Sequence, residues 1–358
     1  MDLKEKVKNL PLCPGVYLMK DSQEEVIYVG KSKSLKNRVG SYFQNFKNRS
    51  PKVEKLVMNL KNFDYILTDT EFEAFMLECK LIKEIKPIYN RLMKNPQSYV
   101  YIQINMDEVY PSIKVTNNIN ENSGNVHFGP YTRKSTAERA VEGIKDYCKI
   151  NCSNPSKKNS ACINYSLDLC LGMCLGNSAT VEYQNIINKI ISLLNGNDNR
   201  LLKEMEDMMI TASEKFDFEV AAKYRDYIDG INVLINKEKV IGFTVENQNI
   251  AMIEYLNEST IKFFIIKGNK VLFSEKYHIA NVNMEEINQI IKANILFYFN
   301  DDSLNDTIEI SKNEIDEAHI IYSYLKSNNC RYITFSSKWF ADENNMEIDK
   351  ALKELLHG

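Results

Sequence analysis

Three tyrosines, a lysine and an arginine fall within 26 residues of one another near the start of the chain: Tyr17, Tyr28, Lys31, Arg38 and Tyr42. Phenols carry protons, and the two cations neutralise negative charge. The second group is a lone carboxylate. Ala74, Phe75, Leu81, Ile82 and Ile85 recur at helical spacing, and the position that completes their stripe is Glu78. A carboxylate on a buried stripe is costly unless it is paired with a Lys or Arg or binds a cation. The third group is sulfur. Of eight cysteines, Cys152, Cys162, Cys170 and Cys174 lie within 23 residues, a density beyond chance at this composition. Four thiolates suit zinc or an iron–sulfur cluster. The spacing C-x9-C-x7-C-x3-C lacks the C-x2-C knuckles of common zinc sites and favours iron–sulfur.

Local elements must position these groups. Gly15–Lys20 reads as a strand, Asp21–Glu24 as a turn, and Val26–Val29 as a second strand leaving through Gly30, where a missing Cβ permits a tight exit. Alternation on antiparallel strands brings the Tyr17 and Tyr28 phenols to one face. In the helix that follows, Leu35, Arg38, Val39, Tyr42 and Phe43 share a face, so the tyrosines, Lys31 and Arg38 are expected to converge. The bland alternative is a half-buried hairpin whose tyrosines are core aromatics. Thr70 and Glu73 form a capping box that starts a helix, and Pro87 ends it at about Lys86.

The chain has 358 residues, 44% of them apolar, ample for two or three packed domains. It has no run of membrane-span length, and residues 1–10 are too charged for a signal peptide, so a cytoplasmic protein with no membrane partner is expected. Net charge is −3, but residues 1–97 carry 18 Lys+Arg against 12 Asp+Glu, while residues 301–358 carry 6 against 12. A basic N-terminal region suits local phosphate contacts, although most surface lysines are simply solvated.

Gly-Val-Tyr at 15–17, Tyr-Val-Gly-Lys at 28–31 and Arg-x-x-x-Tyr at 38–42 together resemble the GIY-YIG nuclease domain, with Val in place of Ile in both triplets. Thr-Glu-Phe-Glu-Ala-Phe-Met-Leu-Glu around Glu78 is similar to the segment bearing that family's metal-binding glutamate. Lys86-Pro87-Ile88-Tyr89-Asn90 is similar to the motif that closes the site with its asparagine. The resemblance implies hydrolysis of a DNA phosphodiester with Mg²⁺ or Mn²⁺ on Glu78, Lys31 and Arg38 neutralising the phosphate and keeping a phenol acidic, Tyr17 as general base, Tyr28 and Tyr42 orienting water, metal or phosphate, and Asn90 completing the site.

Farther along, the likeness is to the UvrC family of ABC excinucleases. Strands at Tyr99–Ile104 and Tyr110–Val115, a turn at Phe128–Tyr131 and a helix from about Ser135 resemble that family's connector. The cysteine spacing resembles its [4Fe–4S] site, with Zn²⁺ the alternative, Cys148 a nearby spare, and Cys13, Cys79 and Cys330 small core residues. Ala212-Ser213, Phe216-Asp217-Phe218-Glu219, Ala221-Ala222 and Arg225-Asp226 resemble the UVR motif, which implies docking of UvrB, the excinuclease component that shares this motif. A generic amphipathic hairpin is the alternative.

The fold expected is multi-domain α/β: a GIY-YIG endonuclease domain with a small antiparallel sheet flanked by helices (10–95), a connector with the four-cysteine site (96–180), a helical region (181–238) with the UVR hairpin (201–236), and a C-terminal mixed α/β domain (239–358). That last part is expected to open with a strand at Val240–Glu246. Loops at 117–125 and 195–200 are the expected joints. The chain stops where the family's ribonuclease-H-like nuclease and helix–hairpin–helix would begin, so the resemblance implies a truncated form that cuts damaged double-stranded DNA on the 3′ side of a lesion. A UvrB-binding adaptor without useful cutting, or a GIY-YIG nuclease of recombination or mobile-element DNA, are the other readings.

Overall fold

The computed structural model describes residues 3–44, 50–90, 99–106, 110–117, 124–131, 133–153, 160–175, 178–280, 283–300, 314–341 and 346–357. Contacts divide the chain into two compact units, one of residues 1–96 with 243–358 and one of residues 97–242.

The first unit begins with helix α1 (Leu3–Lys8), strands β1 (Gly15–Lys20) and β2 (Val26–Ser32), helices α2 (Leu35–Ser41) and α3 (Pro51–Asn59), strand β3 (Asn62–Leu67) and helix α4 (Glu71–Ile85). The strands form an antiparallel sheet in the order β2-β1-β3. Its tyrosine face packs on Leu35, Val39 and Tyr42, and its other face, through Val16 and Val29, packs on Ala74 and Ile82 of α4. Valine in place of isoleucine therefore sits at fully buried strand positions. The strand was expected to end at Gly30, but it continues to Ser32. Gly30 lacks a side chain for a different reason: a Cβ there would lie 2.4 Å from the Tyr17 hydroxyl. The α4 capping box is formed as read, and Lys86 at φ 53° stops the helix before Pro87.

The second unit holds strands β4 (Val100–Asn105), β5 (Ser112–Thr116) and β6 (Val126–Tyr131), then helices α5 (Lys134–Tyr147), α6 (Ile163–Ser166), α7 (Ser178–Leu194), α8 (Arg200–Glu214) and the start of α9 (Phe218–Val245). The sheet order is β5-β4-β6, and one core joins it to α5 and the α7–α9 helices. Phe128–Tyr131, expected as a turn, is strand β6; the Gly129–Pro130 peptide is cis, and the Gly129 N–H and the Tyr131 hydroxyl both donate to Glu238 Oε1. Residues 118–123 of the first expected joint lie outside the described residues. The second contains Gly196 at φ 73°. The UVR-like hairpin breaks at Phe216, φ 61°, and Asp217 accepts from the Val220 N–H to restart the helix. The expected strand at 240–246 is helical instead, because Val240 and Thr244, one turn apart, are both buried on a single helix face.

The chain then returns to the first unit with β7 (Asn249–Asn257), β8 (Thr260–Lys267), β9 (Lys270–His278), α10 (Met284–Phe299), α11 (Ile315–Leu325), β10 (Arg331–Phe335) and α12 (Met346–His357). Its antiparallel sheet runs β10-β7-β8-β9. Strand β8 is buried at every position, as a strand covered on both faces must be. One face packs on α10 and α12. The other, carrying Ile250, Met252, Phe264 and Ile266, is covered by α11 and by α4.

Candidate active site and cysteine site

The N-terminal site gathers at β2, an edge strand of its sheet. Tyr17 and Tyr28 stand on one face with ring centroids 6.1 Å apart, and the Tyr17 and Tyr42 hydroxyls are 3.0 Å apart. Arg38 reaches over the Tyr42 ring at 5.4 Å. Lys31 departs from the expected convergence. Strand alternation puts it on the opposite face, with its ammonium 3.1 Å from the Phe75 ring centroid and 3.4 Å from Glu71 Oε1. Its backbone points along the strand edge instead: the Lys31 N–H donates to Glu78 Oε1 at 3.1 Å.

Asn90 is a bracket on the strand edge. Its side chain accepts from the Val29 N–H at 3.0 Å and donates to the Val29 carbonyl at 2.9 Å, while the Tyr89 N–H donates to the Ile27 carbonyl at 3.0 Å. The segment thus satisfies edge groups that would otherwise be open to another strand. Sequence spacing gave no hint of this pairing partner.

Burial raises the Glu78 carboxyl above its usual range, against the Lys31 N–H and the charges of Lys31 and Arg38. A half-buried carboxylate held by one backbone donor fits a cation ligand, and among the described residues no neutralising side chain pairs with it directly. The phenols depart from expectation. Burial, then the neighbouring Tyr42 and Tyr28, push Tyr17 well above the ordinary phenol range, and burial with Tyr42 and Glu78 pushes Tyr28 up as well. Arg38 lowers both but does not prevail, because removing a phenolate from water costs more than one partly solvated guanidinium returns.

In the second unit, the Sγ atoms of Cys152, Cys162 and Cys174 all lie within 4.8 Å of one another. Cys152 and Cys162 sulfurs are 3.9 Å apart, and the Cys162 N–H donates to Cys174 Sγ. Cys170 stands outside this trio. It is buried in a bridge to Ile150, and its Sγ accepts from the Gly172 N–H. Desolvation works to raise the Cys162 thiol, yet donors at Ser153 and Tyr165 and the Cys174 contact bring it down to about 6. Burial pushes the spare Cys148 up to about 12, the behaviour of an inert core thiol. Cys79 is buried and Cys330 half-buried, but Cys13 is exposed rather than a core residue.

Paired tyrosines on a three-stranded sheet, with a helix-borne glutamate at its edge, define a GIY-YIG endonuclease-type domain, and residues 13–91 match the family model for the UvrC-like GIY-YIG domain. Residues 99–193 match the UvrC/Cho excinuclease middle domain and residues 199–232 the UvrB/uvrC motif. The chain belongs to the UvrC family. It is 33% identical over 352 residues to UvrABC system protein C of Alkaliphilus metalliredigens, covering 96% of this chain and 56% of that protein. It is 35% identical over 342 residues to that of Clostridioides difficile, covering 93% and 56%. The chain thus spans about half the length of these relatives. Among solved structures, the GIY-YIG N-terminal endonuclease domain of UvrC from Thermotoga maritima, bound to its catalytic divalent cation magnesium, is 36% identical; the match covers 25% of this chain and 96% of that one, with a TM-score of 0.23. No helix among the described residues is long and apolar enough to cross a membrane.

Proposed function

We propose that this protein is a DNA endonuclease of nucleotide excision repair that hydrolyses a phosphodiester on the 3′ side of a lesion, recruited by UvrB through the α8–α9 hairpin. The observation that carries the reading is the Glu78 carboxylate, pinned by the Lys31 N–H at the edge of β2, the strand that also carries Tyr28, in a sheet whose Tyr17 hydroxyl is paired with that of Tyr42. Glu78 would hold Mg²⁺, which on binding polarises a phosphate oxygen and makes bound water more acidic. Arg38, beside the phenols, neutralises charge that builds on the phosphate as water oxygen bonds to phosphorus and the 3′ oxygen leaves. Tyr17 is assigned the general base. Burial holds its proton in the free protein, so it accepts the water proton only once added positive charge offsets that burial. Tyr42 holds the Tyr17 oxygen in place, and Tyr28 orients water or phosphate from the same face. Lys31 supplies a cation from behind the strand, and Asn90 fixes the strand edge whose Lys31 N–H holds Glu78. The products are 3′-hydroxyl and 5′-phosphate ends.

The connector is assigned a [4Fe–4S] cluster on Cys152, Cys162 and Cys174, with Cys170 as fourth ligand; the thiol trio supports it and equally suits Zn²⁺, which metal analysis of the purified protein distinguishes. The exposed Phe216 and Phe218 at the hairpin bend support docking of UvrB. The deciding test is Mg²⁺-dependent nicking of an end-labelled duplex with one bulky lesion, in the presence of UvrA and UvrB. A single 3′-side cut by wild type and none by Glu78→Ala is expected. A bound complex that wild type never cuts overturns the endonuclease reading in favour of an adaptor.

A further inference from the structure

Helix α4 carries two apolar stripes. Ala74 and Ile82 face the N-terminal sheet, where Val16 and Val29 meet them. Phe72 and Cys79 face the β7–β10 sheet and α11, inside a larger cluster with Ile250, Met252, Phe264, Ile266 and Ile321. Buried apolar partners of this helix therefore come from the C-terminal segment as well as from the N-terminal sheet. Phe72 meets Phe264 edge-on at 5.1 Å and Tyr324 at 5.0 Å. Tyr324 also buttresses Phe75 at 6.5 Å, and Phe75 is the ring that carries the Lys31 ammonium.

Charge fixes both ends of the helix. At its start, Lys262 from the middle of β8 donates to Asp69 Oδ2 and lies within 2.9 Å of Glu73 Oε1, with its own side chain only 8% exposed. Glu73 uses its other oxygen to accept from the Asp69 and Thr70 N–H groups, so the lysine grips the capping box itself. Lys276 of β9 holds the second Asp69 oxygen at 2.7 Å. At the far end Lys83 pairs with Glu317 of α11. Burial works to lower the Lys262 ammonium, but Asp69 and Glu73 outweigh it and raise it, so the charge is retained.

We infer that Lys262 is a positioning residue for the cation site at Glu78: by gripping the N-terminus of α4 it sets where the helix presents that carboxylate, which makes the C-terminal sheet a working part of the nuclease unit. The inference rests on the endonuclease reading above. None of the three matched family models extends to the C-terminal segment.

The test uses the full chain without DNA, with Mn²⁺ as a paramagnetic probe of binding and hydrogen exchange of the α4 amides. Lys262→Met is expected to keep its circular dichroism and a cooperative transition, yet to lose about tenfold of α4 protection and about tenfold of Mn²⁺ affinity, the scale seen when groups supporting a metal ligand are removed. Lys262→Arg is expected to restore both to within about threefold, because it keeps the charge and reach. If Lys262→Met does not fold, Asp69→Asn removes the shared negative charge at constant shape and is expected to shift both readouts the same way. A folded variant with wild-type α4 protection and wild-type Mn²⁺ affinity overturns the inference. Failure of the endonuclease reading is distinguishable: Glu78→Ala would then bind Mn²⁺ as wild type does, whatever the α4 amides report.

Discussion

Glu78 stands in the protein at a cost to the metal-free fold. Its folded carboxyl titrates above its unfolded value, so folding favours the protonated form. That contribution is complete below the ordinary carboxylate range and is lost as pH rises through the raised value, leaving a penalty at neutral pH. Glu78→Gln is therefore expected to raise the melting temperature in EDTA near neutral pH, with the gap closing below about pH 4, while Mn²⁺ binding is lost. Scanning calorimetry across pH checks it, and a destabilised Gln variant would contradict the assignment. Tyr17 is a different case. Tyr17→Phe keeps the ring over Gly30 and loses the 3.0 Å contact with Tyr42 and the interaction with Arg38, so stability is expected to move by about 1 kcal/mol or less. Single-turnover nicking is expected to fall about 10²- to 10⁴-fold, the usual range for a proton-transfer group. Gly30→Ala places a methyl 2.4 Å from the Tyr17 oxygen and is expected to destabilise by about 1–3 kcal/mol, read by urea unfolding.

At the scale of elements, α4 is where sequence periodicity misleads. The spacing of Ala74, Phe75, Leu81, Ile82 and Ile85 describes one stripe, but Ile85 is exposed and Phe75 belongs with Phe72 and Cys79 on the second face. A helix packed from two sides shows a weak single-face pattern, since both faces are apolar. Phe72→Ala is accordingly expected to cost about 3–5 kcal/mol in the full chain, although Phe72 belongs to a different cluster from Tyr17, Tyr28 and Tyr42. Helix α9 teaches the same point, for Val240–Val245 reads as a short apolar run and only its partners decide that it is helical. Glu238, just before that run on the same helix, has its carboxyl raised to about 7 by burial, against the Tyr131 and Gly129 donors. Its stabilising contribution is present below the unfolded carboxylate value and fades as pH rises through about 7. Glu238→Gln is expected to remove that dependence, worth on the order of 3 kcal/mol at most, as seen in melting temperatures from pH 5 to 8.

At the scale of the molecule, the N-terminal domain and the C-terminal segment share one compact unit, although more than 140 residues separate them in sequence. A fragment of residues 1–96 would expose Phe72 and Cys79, so it is expected to be less stable than the same domain within the full chain and to self-associate more readily. Matched denaturation and sedimentation of fragment and full chain test this, and equal stability would mean that the C-terminal sheet contributes nothing to α4. In the second unit, if the proposed [4Fe–4S] assignment holds, Cys162→Ser is expected to remove iron and its visible absorption; retention of both would exclude the thiol trio as the ligand set.

Sequence alone determined the local devices: the hairpin with Tyr17 and Tyr28 on one face, the Thr70–Glu73 capping box and the Lys86–Pro87 stop. Each is set within a few residues by alternation, capping hydrogen bonds or steric limits on φ, so neighbours in sequence suffice. Tertiary structure decided what depends on distant partners. It put Lys31 behind the strand on Phe75 and Glu71, made Asn90 a bracket for Val29, left Cys170 outside the thiol trio, raised the phenols by burial, and gave α4 its second face. Burial and pairing are properties of space, and a chain that brings position 262 to position 69 leaves no periodic mark of having done so.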